Sequence, residues 1–160
     1  MFFEDLSPYP SSDDLSNQVK CIGWLSKKHG YSKGKLDDKS FQLLENFIAI
    51  NVNQKRGVHG CEFCKRTDHK INFQTIYEFR KKFVILGDSE LVVFNKSGDA
   101  FVAPNLIVHY IKEHSYLPPR EFIEALYECP VPTSQNYFEL LVELKFRWSK
   151  IWFYDERPTP

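Results

Sequence analysis

Apolar positions along this chain recur at two spacings, and the change from one to the other marks where strands give way to helices. Residues 19–25 read as a short strand with Trp24 as a core ring. Asp37 or Asp38 can cap a helix running to about Ile50. In it Phe41, Leu44 and Ile48 form one stripe, with Leu43 and Phe47 beside it, at the 3.6-residue period of a core-facing helix. Residues 51–60 are polar and glycine-bearing and predict a connection; residues 65–70 are charged and predict a solvated loop. Residues 71–79 fit either a strand or a short helix. Residues 83–86 form a strand stopped by Gly87-Asp88. The apolar runs 91–94 and 100–102 flank Asn95-Lys96-Ser97-Gly98-Asp99, a glycine-containing turn, and predict a hairpin.

Helical spacing then takes over. Pro104 suits a first helical turn, and Leu106, Ile107, Tyr110 and Ile111 share a face. Pro118-Pro119 restarts the chain. Phe122, Ile123, Leu126 and Cys129 line one side of the next helix until Pro130, with Glu121, Glu124 and Glu128 on the other. Ser134 can cap a last helix, where Tyr137, Leu140, Leu141, Leu144 and Trp148 make an amphipathic stripe. The predicted fold is α+β and a single domain over residues 1–160. A small antiparallel sheet packs against C-terminal helices, between a loop-like arm (1–18) and an aromatic tail (149–160).

Charge narrows the function classes. Basic and acidic residues number 21 each, so the chain is formally neutral and gives no general argument for nucleic-acid binding. Lys27-Lys28, Lys65-Arg66 and Arg80-Lys81-Lys82 keep open the alternative of a nucleic-acid-binding zinc protein. No apolar run reaches the length of a membrane-crossing helix. The opening residues lack the pattern of a signal peptide, so the expected location is cytoplasmic. In that compartment cysteines favour metal binding or free thiols over disulfides.

The definite chemistry lies in four residues. Cys61 and Cys64 form C-x2-C; after 44 further residues His109 and His114 form H-x4-H. Two thiolates and two imidazoles are the ligand set of a closed structural zinc site. On an ideal helix His109 and His114 point about 140° apart, so a shared ion requires the helix to loosen before His114. The rival role for His114 is a hydrogen-bonded core histidine. His59 is the reserve ligand and His69 a more distant one. Cys129 is either a small buried hydrophobe or a substitute ligand, and Cys21 reads as core. No H-E-x-x-H, Walker loop, dinucleotide glycine pattern or G-x-S-x-G is present, so no catalytic residue is expected. A zinc or cysteine hydrolase is the least favoured reading.

The C-terminus carries the interaction signal. Phe138, Val142 and Phe146 form a second apolar row, and Trp152, Phe153 and Tyr154 follow. Either these rings fold back on the body, as an edge strand for instance, or they anchor another protein or a second copy.

The chain also resembles a known family. The residues that carry the likeness begin with Asp5-Leu6-Ser7-Pro8-Tyr9, Gly23-Trp24-Leu25 and Gly57-Val58-His59-Gly60-Cys61-Glu62-Phe63-Cys64. Ala103-Pro104-Asn105-Leu106-Ile107-Val108-His109-Tyr110-Ile111-Lys112-Glu113-His114 continues it, with Tyr116-Leu117-Pro118-Pro119, Phe122, Cys129-Pro130 and Tyr137 after that. In this order they are similar to a family of small bacterial proteins of unknown function. The likeness departs at Gly60, where a larger residue is expected, and in the longer, more aromatic tail. It implies a bacterial, non-secreted protein and supplies no activity. Small, neutral, aromatic-rich bacterial proteins of this kind resemble immunity proteins, so the expected partner is a cognate toxin.

Overall fold

The computed structural model describes residues 1–10, 18–64 and 75–158. His69, Lys65-Arg66 and residues 71–74 lie outside them. The elements in chain order are β1 (Val19–Cys21), α1 (Asp38–Glu45), a 3-10 turn (Asn46–Ala49), β2 (Ile50–Val52), β3 (Thr75–Phe79), β4 (Lys82–Leu86), β5 (Glu90–Phe94), β6 (Ala100–Pro104), α2 (Ile107–His114), α3 (Arg120–Glu128), α4 (Gln135–Glu143) and β7 (Trp148–Lys150).

Five strands form one sheet in the order β1-β6-β5-β2-β7, and β3 and β4 form a separate hairpin. The fold is α+β, as the spacing predicts, but the main sheet is mixed. β1 lies parallel to β6, while β6, β5, β2 and β7 pair antiparallel. A parallel pair needs a long crossover rather than a hairpin, and the chain between β1 and β6 supplies it. The hairpin predicted from residues 91–102 is β5–β6, with Val92 opposite Val102. Of residues 71–79, Thr75–Phe79 form a strand.

The pleat explains why every residue of β5 is buried. Val93 and its partner Phe101 share one face, where Phe101 meets Phe122 of α3 edge-on at 6.1 Å. Phe94 points to the other face and meets Tyr137 of α4 at 5.6 Å. Helices therefore cover both sides of the central strand. The Tyr137 hydroxyl donates to the Val92 carbonyl at 2.7 Å in this core.

Several boundaries differ from the sequence expectation. β1 ends at Cys21, just before Gly23 with its φ of 69°, rather than running to Leu25, and Pro104 closes β6 instead of opening a helix, since α2 begins at Ile107. The first helix ends at Glu45, and Asn51 belongs to β2 rather than to a polar connection. Asn51 is 4% exposed, and its side-chain oxygen accepts from Ser89 Oγ at 2.9 Å. A polar residue satisfied inside the core looks like a loop residue in the sequence. The last helix stops at Glu143, and Trp148 opens β7 instead of extending the stripe. Lys145 takes a left-handed φ of 58°. Phe146 N–H reaches back to Leu141 O (2.8 Å) and Lys145 N–H to Val142 O (3.0 Å). That is a Schellman ending built without glycine, invisible to a search for glycine stops.

The arm is part of the sheet's margin. Leu6 N–H donates to Cys21 O, Cys21 N–H to Ser7 O and Tyr9 N–H to Val19 O, at 2.8, 2.8 and 2.9 Å. The tail does fold back: Phe83 and Tyr154 exchange two backbone hydrogen bonds of 2.8 Å, joining the tail to β4.

Removing the Tyr137 hydroxyl while keeping its ring tests the helix–sheet contact. Tyr137→Phe is expected to lower stability by about 1 kcal/mol, the net worth of one buried hydrogen bond. Denaturant unfolding should show a lower midpoint with an unchanged slope.

Candidate metal centre

The cysteine loop and α2 are brought together by one short turn. Between β4 and β5 the Gly87 carbonyl accepts from His59 N–H at 2.8 Å, which fixes the chain two residues before Cys61. The Gly87 N–H donates to Asn105 Oδ1 at 2.6 Å. Asn105 lies just before α2 and is 1% exposed. Its N–H and side-chain amide bond to the Ser89 carbonyl (2.9 Å) and hydroxyl (2.8 Å). One peptide turn thus holds both halves of the site. Only glycine fits there: φ is 108°, and a Cβ would stand 2.1 Å from the His59 oxygen.

The residues between the cysteines complete the fit. Glu62 accepts from Ser26 Oγ at 3.2 Å and from Lys27 N–H at 3.1 Å, tying the knuckle to the segment after β1. The Lys27 N–H, with help from Ser26, holds the Glu62 carboxyl below its ordinary range. Phe63 inserts among Tyr31, Tyr110 and His114, with ring centroids at 5.4, 5.9 and 5.4 Å. The Tyr31 hydroxyl in turn donates to the His114 carbonyl at 3.1 Å, bracing the last turn of α2.

The four candidate ligands converge. Cys61 Sγ lies 3.2 Å from His114 Nε2, and Cys64 Sγ lies 3.3 Å from His109 Nε2 and 3.5 Å from His114 Nε2. The two Nε2 atoms are 3.2 Å apart, and all four atoms fall within 4.8 Å of one another. A tetrahedral ion with bonds of about 2.3 Å to sulfur and about 2.0–2.1 Å to nitrogen would set S–N near ~3.6 Å and N–N near ~3.3 Å. The observed separations match a site sized for one small cation.

Electrostatics agree with that geometry. Burial, reinforced by Cys61, pushes the Cys64 thiol up to about 11. Burial, then the neighbouring His114, lowers His109, and burial lowers His114. Imidazoles held neutral are ready to ligate, whereas the Cys64 thiol sheds its proton only to a strong competitor such as a divalent cation. This Cys2His2 group could hold a metal ion.

A family model described as a domain of unknown function, DUF7919, matches residues 1–127. The chain belongs to the DUF7919 family. The matched span includes all four candidate ligands and ends within α3. No curated protein and no solved structure matches the chain.

In this DUF7919 chain the helix does not loosen before His114, as the sequence geometry requires. His114 is the last residue of α2, and the break follows at Ser115, whose φ is 54°. The histidines meet because both present the distal Nε2, whose reach offsets their angular separation. His59 is exposed and outside the cluster, held by its backbone alone. Cys129 packs beneath β5, where its sulfur accepts from Phe94 N–H at 3.2 Å. Burial pushes the thiols of Cys129 and Cys21 up to about 12. Neither joins the ligands. Sequence reasoning missed Glu62, Phe63 and Asn105 as positioning residues, and saw Gly87 only as a strand stop.

The turn can be tested against a second left-handed glycine. Gly57 has φ of 94° but nothing near its missing Cβ. Gly57→Ala is expected to cost about 1–2 kcal/mol from backbone strain alone. Gly87→Ala should exceed it by at least about 1 kcal/mol, because the knuckle must also move. Thermal unfolding of the two variants measures the difference.

Proposed function

We propose that Cys61, Cys64, His109 and His114 hold one structural zinc ion, and that the chain is a non-catalytic protein-binding domain. Its most specific form is a bacterial immunity protein, acting in the cytoplasm, that binds and neutralises a cognate toxin. The closed Cys2His2 cluster carries the first half. Four protein ligands fill a tetrahedral ion and leave no position for substrate or activated water. Paired thiolates with imidazoles favour zinc over the hard cations that choose oxygen.

The surface near β7 supports the second half. Trp152 is 74% exposed, Val142 66%, Trp148 42% and Tyr154 38%. Among the six interaction candidates, Val142, Trp152 and Tyr154 face solvent, while Phe138, Phe146 and Phe153 are half-buried. The buried members act as footings. Phe138 stacks on Trp148 at 4.2 Å, Phe153 on Phe79 at 6.1 Å, and Phe146 meets Tyr9 at 6.5 Å. Exposed rings beside braced aromatic supports suit a protein interface. A toxin as partner rests on analogy: neutrality and aromatic content are features the chain shares with immunity proteins. Among the described residues no helix is long and apolar enough to cross a membrane.

Protein purified without chelator is expected to contain one zinc per chain by elemental analysis. Cobalt replacement should give the visible bands of a tetrahedral thiolate site. Chelation or Cys61→Ser should lower the melting temperature by 10 °C or more, on the order of several kcal/mol of lost folding energy. Metal-free protein of unchanged stability would refute the structural ion.

Co-expression with the product of the adjacent gene is expected to relieve that product's toxicity to the host and yield a stable complex. Trp152→Ala combined with Val142→Asp should weaken that complex at least about tenfold, consistent with loss of a hot spot, while zinc content and melting temperature hold. Failure to bind or protect refutes the immunity reading and leaves the zinc assignment standing.

A further inference from the structure

A cavity of about 100 Å³ opens beside the metal centre, on the far side of the Gly87 turn. Its walls include Trp24 and Tyr110, and Glu62, Asp88, Glu90 and Lys55 supply charge. Glu90 is 1% exposed, an unusual place for a carboxylate. Tyr9 OH donates to both of its oxygens (3.0 and 2.9 Å) and Asn53 Nδ2 to Oε2 (2.8 Å). Among the described residues its ion-pair partner is Lys55 Nζ, 3.6 Å from Oε1, too far for a hydrogen bond. Lys55 is half exposed and also stands 5.6 Å from the centre of the Trp24 ring. Burial holds the Glu90 carboxyl above its ordinary range despite Asn53, Tyr9 and Lys55. The charge is therefore only partly compensated by the chain itself.

We infer that this cavity is a binding site for a compact organic cation carrying a primary ammonium group, received between the Glu90 carboxylate and the Trp24 ring. Lys55 marks the place: an alkylammonium belonging to the chain already lies between the same two groups, but on a solvent-exposed stem that can swing away. An indole face and a desolvated carboxylate are the two partners an ammonium prefers. The distribution of donors selects ammonium over guanidinium. Asn53 fills Oε2 and Tyr9 touches both oxygens, so a planar fork cannot take the two together, whereas a point charge needs Oε1 alone. The volume, smaller than a cavity that admits benzene, limits the guest to a few heavy atoms. The inference is independent of the zinc and of any toxin.

Isothermal titration of the intact chain as purified with n-butylammonium tests this, with n-butanol as uncharged control and an alkylguanidinium as rival. Lys55 competes for the site, so Lys55→Ala should bind n-butylammonium at least about fivefold more tightly than wild type, as removal of an occluding state requires. Butanol should give no saturable heat, and the guanidinium should bind at least about fivefold more weakly than the amine. Glu90→Gln should abolish binding. Because Glu90 is buried and that variant can unfold, the Lys55→Ala comparison decides alone if it does. Equal affinities of wild type and Lys55→Ala, or equal binding of amine and butanol, would overturn the assignment. Lysine blocked at both α-groups distinguishes the sources. If it binds like n-butylammonium, the guest is a lysine side chain; if only the free amine binds, it is a small metabolite.

Discussion

The arrangement depends on a single residue. Gly87 gives its carbonyl to the cysteine loop and its N–H to the residue that leads into α2. The cysteine pair and the histidine helix are distant in sequence, and among the described residues no strand pairing links them. What joins them is a backbone turn whose positive φ and missing side chain let two segments approach to contact. An ion at the cluster would then lock a geometry that the turn has already set. Preorganised ligands need less ordering when the metal arrives, so more of the binding energy appears as fold stability.

The turn is itself held by buried polar groups. Asn51, Ser89 and Asn105 are all nearly inaccessible and bond in sequence through the Ser89 hydroxyl. Among the described residues every buried side-chain nitrogen and oxygen has a partner. A fully satisfied network of this kind adds direction to a core that hydrophobic contact alone leaves non-specific. It fixes where β2, β5 and α2 stand relative to one another. The same region carries the Glu90 cavity, so the two candidate sites share one support.

Much of this was legible in the residues. The 3.6-residue stripes placed α1 through α4, and the flanked glycine turn placed β5 and β6. Ligand chemistry and spacing picked the four side chains that converge. The failures have local causes. Asn51 is polar yet buried, so pattern reading put it in a loop. Lys145 ends α4 in a conformation that usually signals glycine, so Trp148 was counted with the helix. The parallel pairing of β1 with β6 depends on contacts across some 80 residues, which periodicity does not encode. The positioning roles of Glu62, Phe63 and Asn105 are tertiary, since each is defined by what it meets across the fold. Lys65-Arg66 and His69 lie outside the described residues.

The two margins of the main sheet are unlike. Along β1 the arm occupies the hydrogen-bonding groups, and Pro8 and Pro10 offer no donor beyond it. Along β7 the three residues are exposed, and among the described residues no strand lies outside them. A sheet with one sealed border can accept a foreign strand on one side only. Two copies meeting there would exhaust each other's free border, so edge pairing ends at a closed pair and gives no route to a growing fibre.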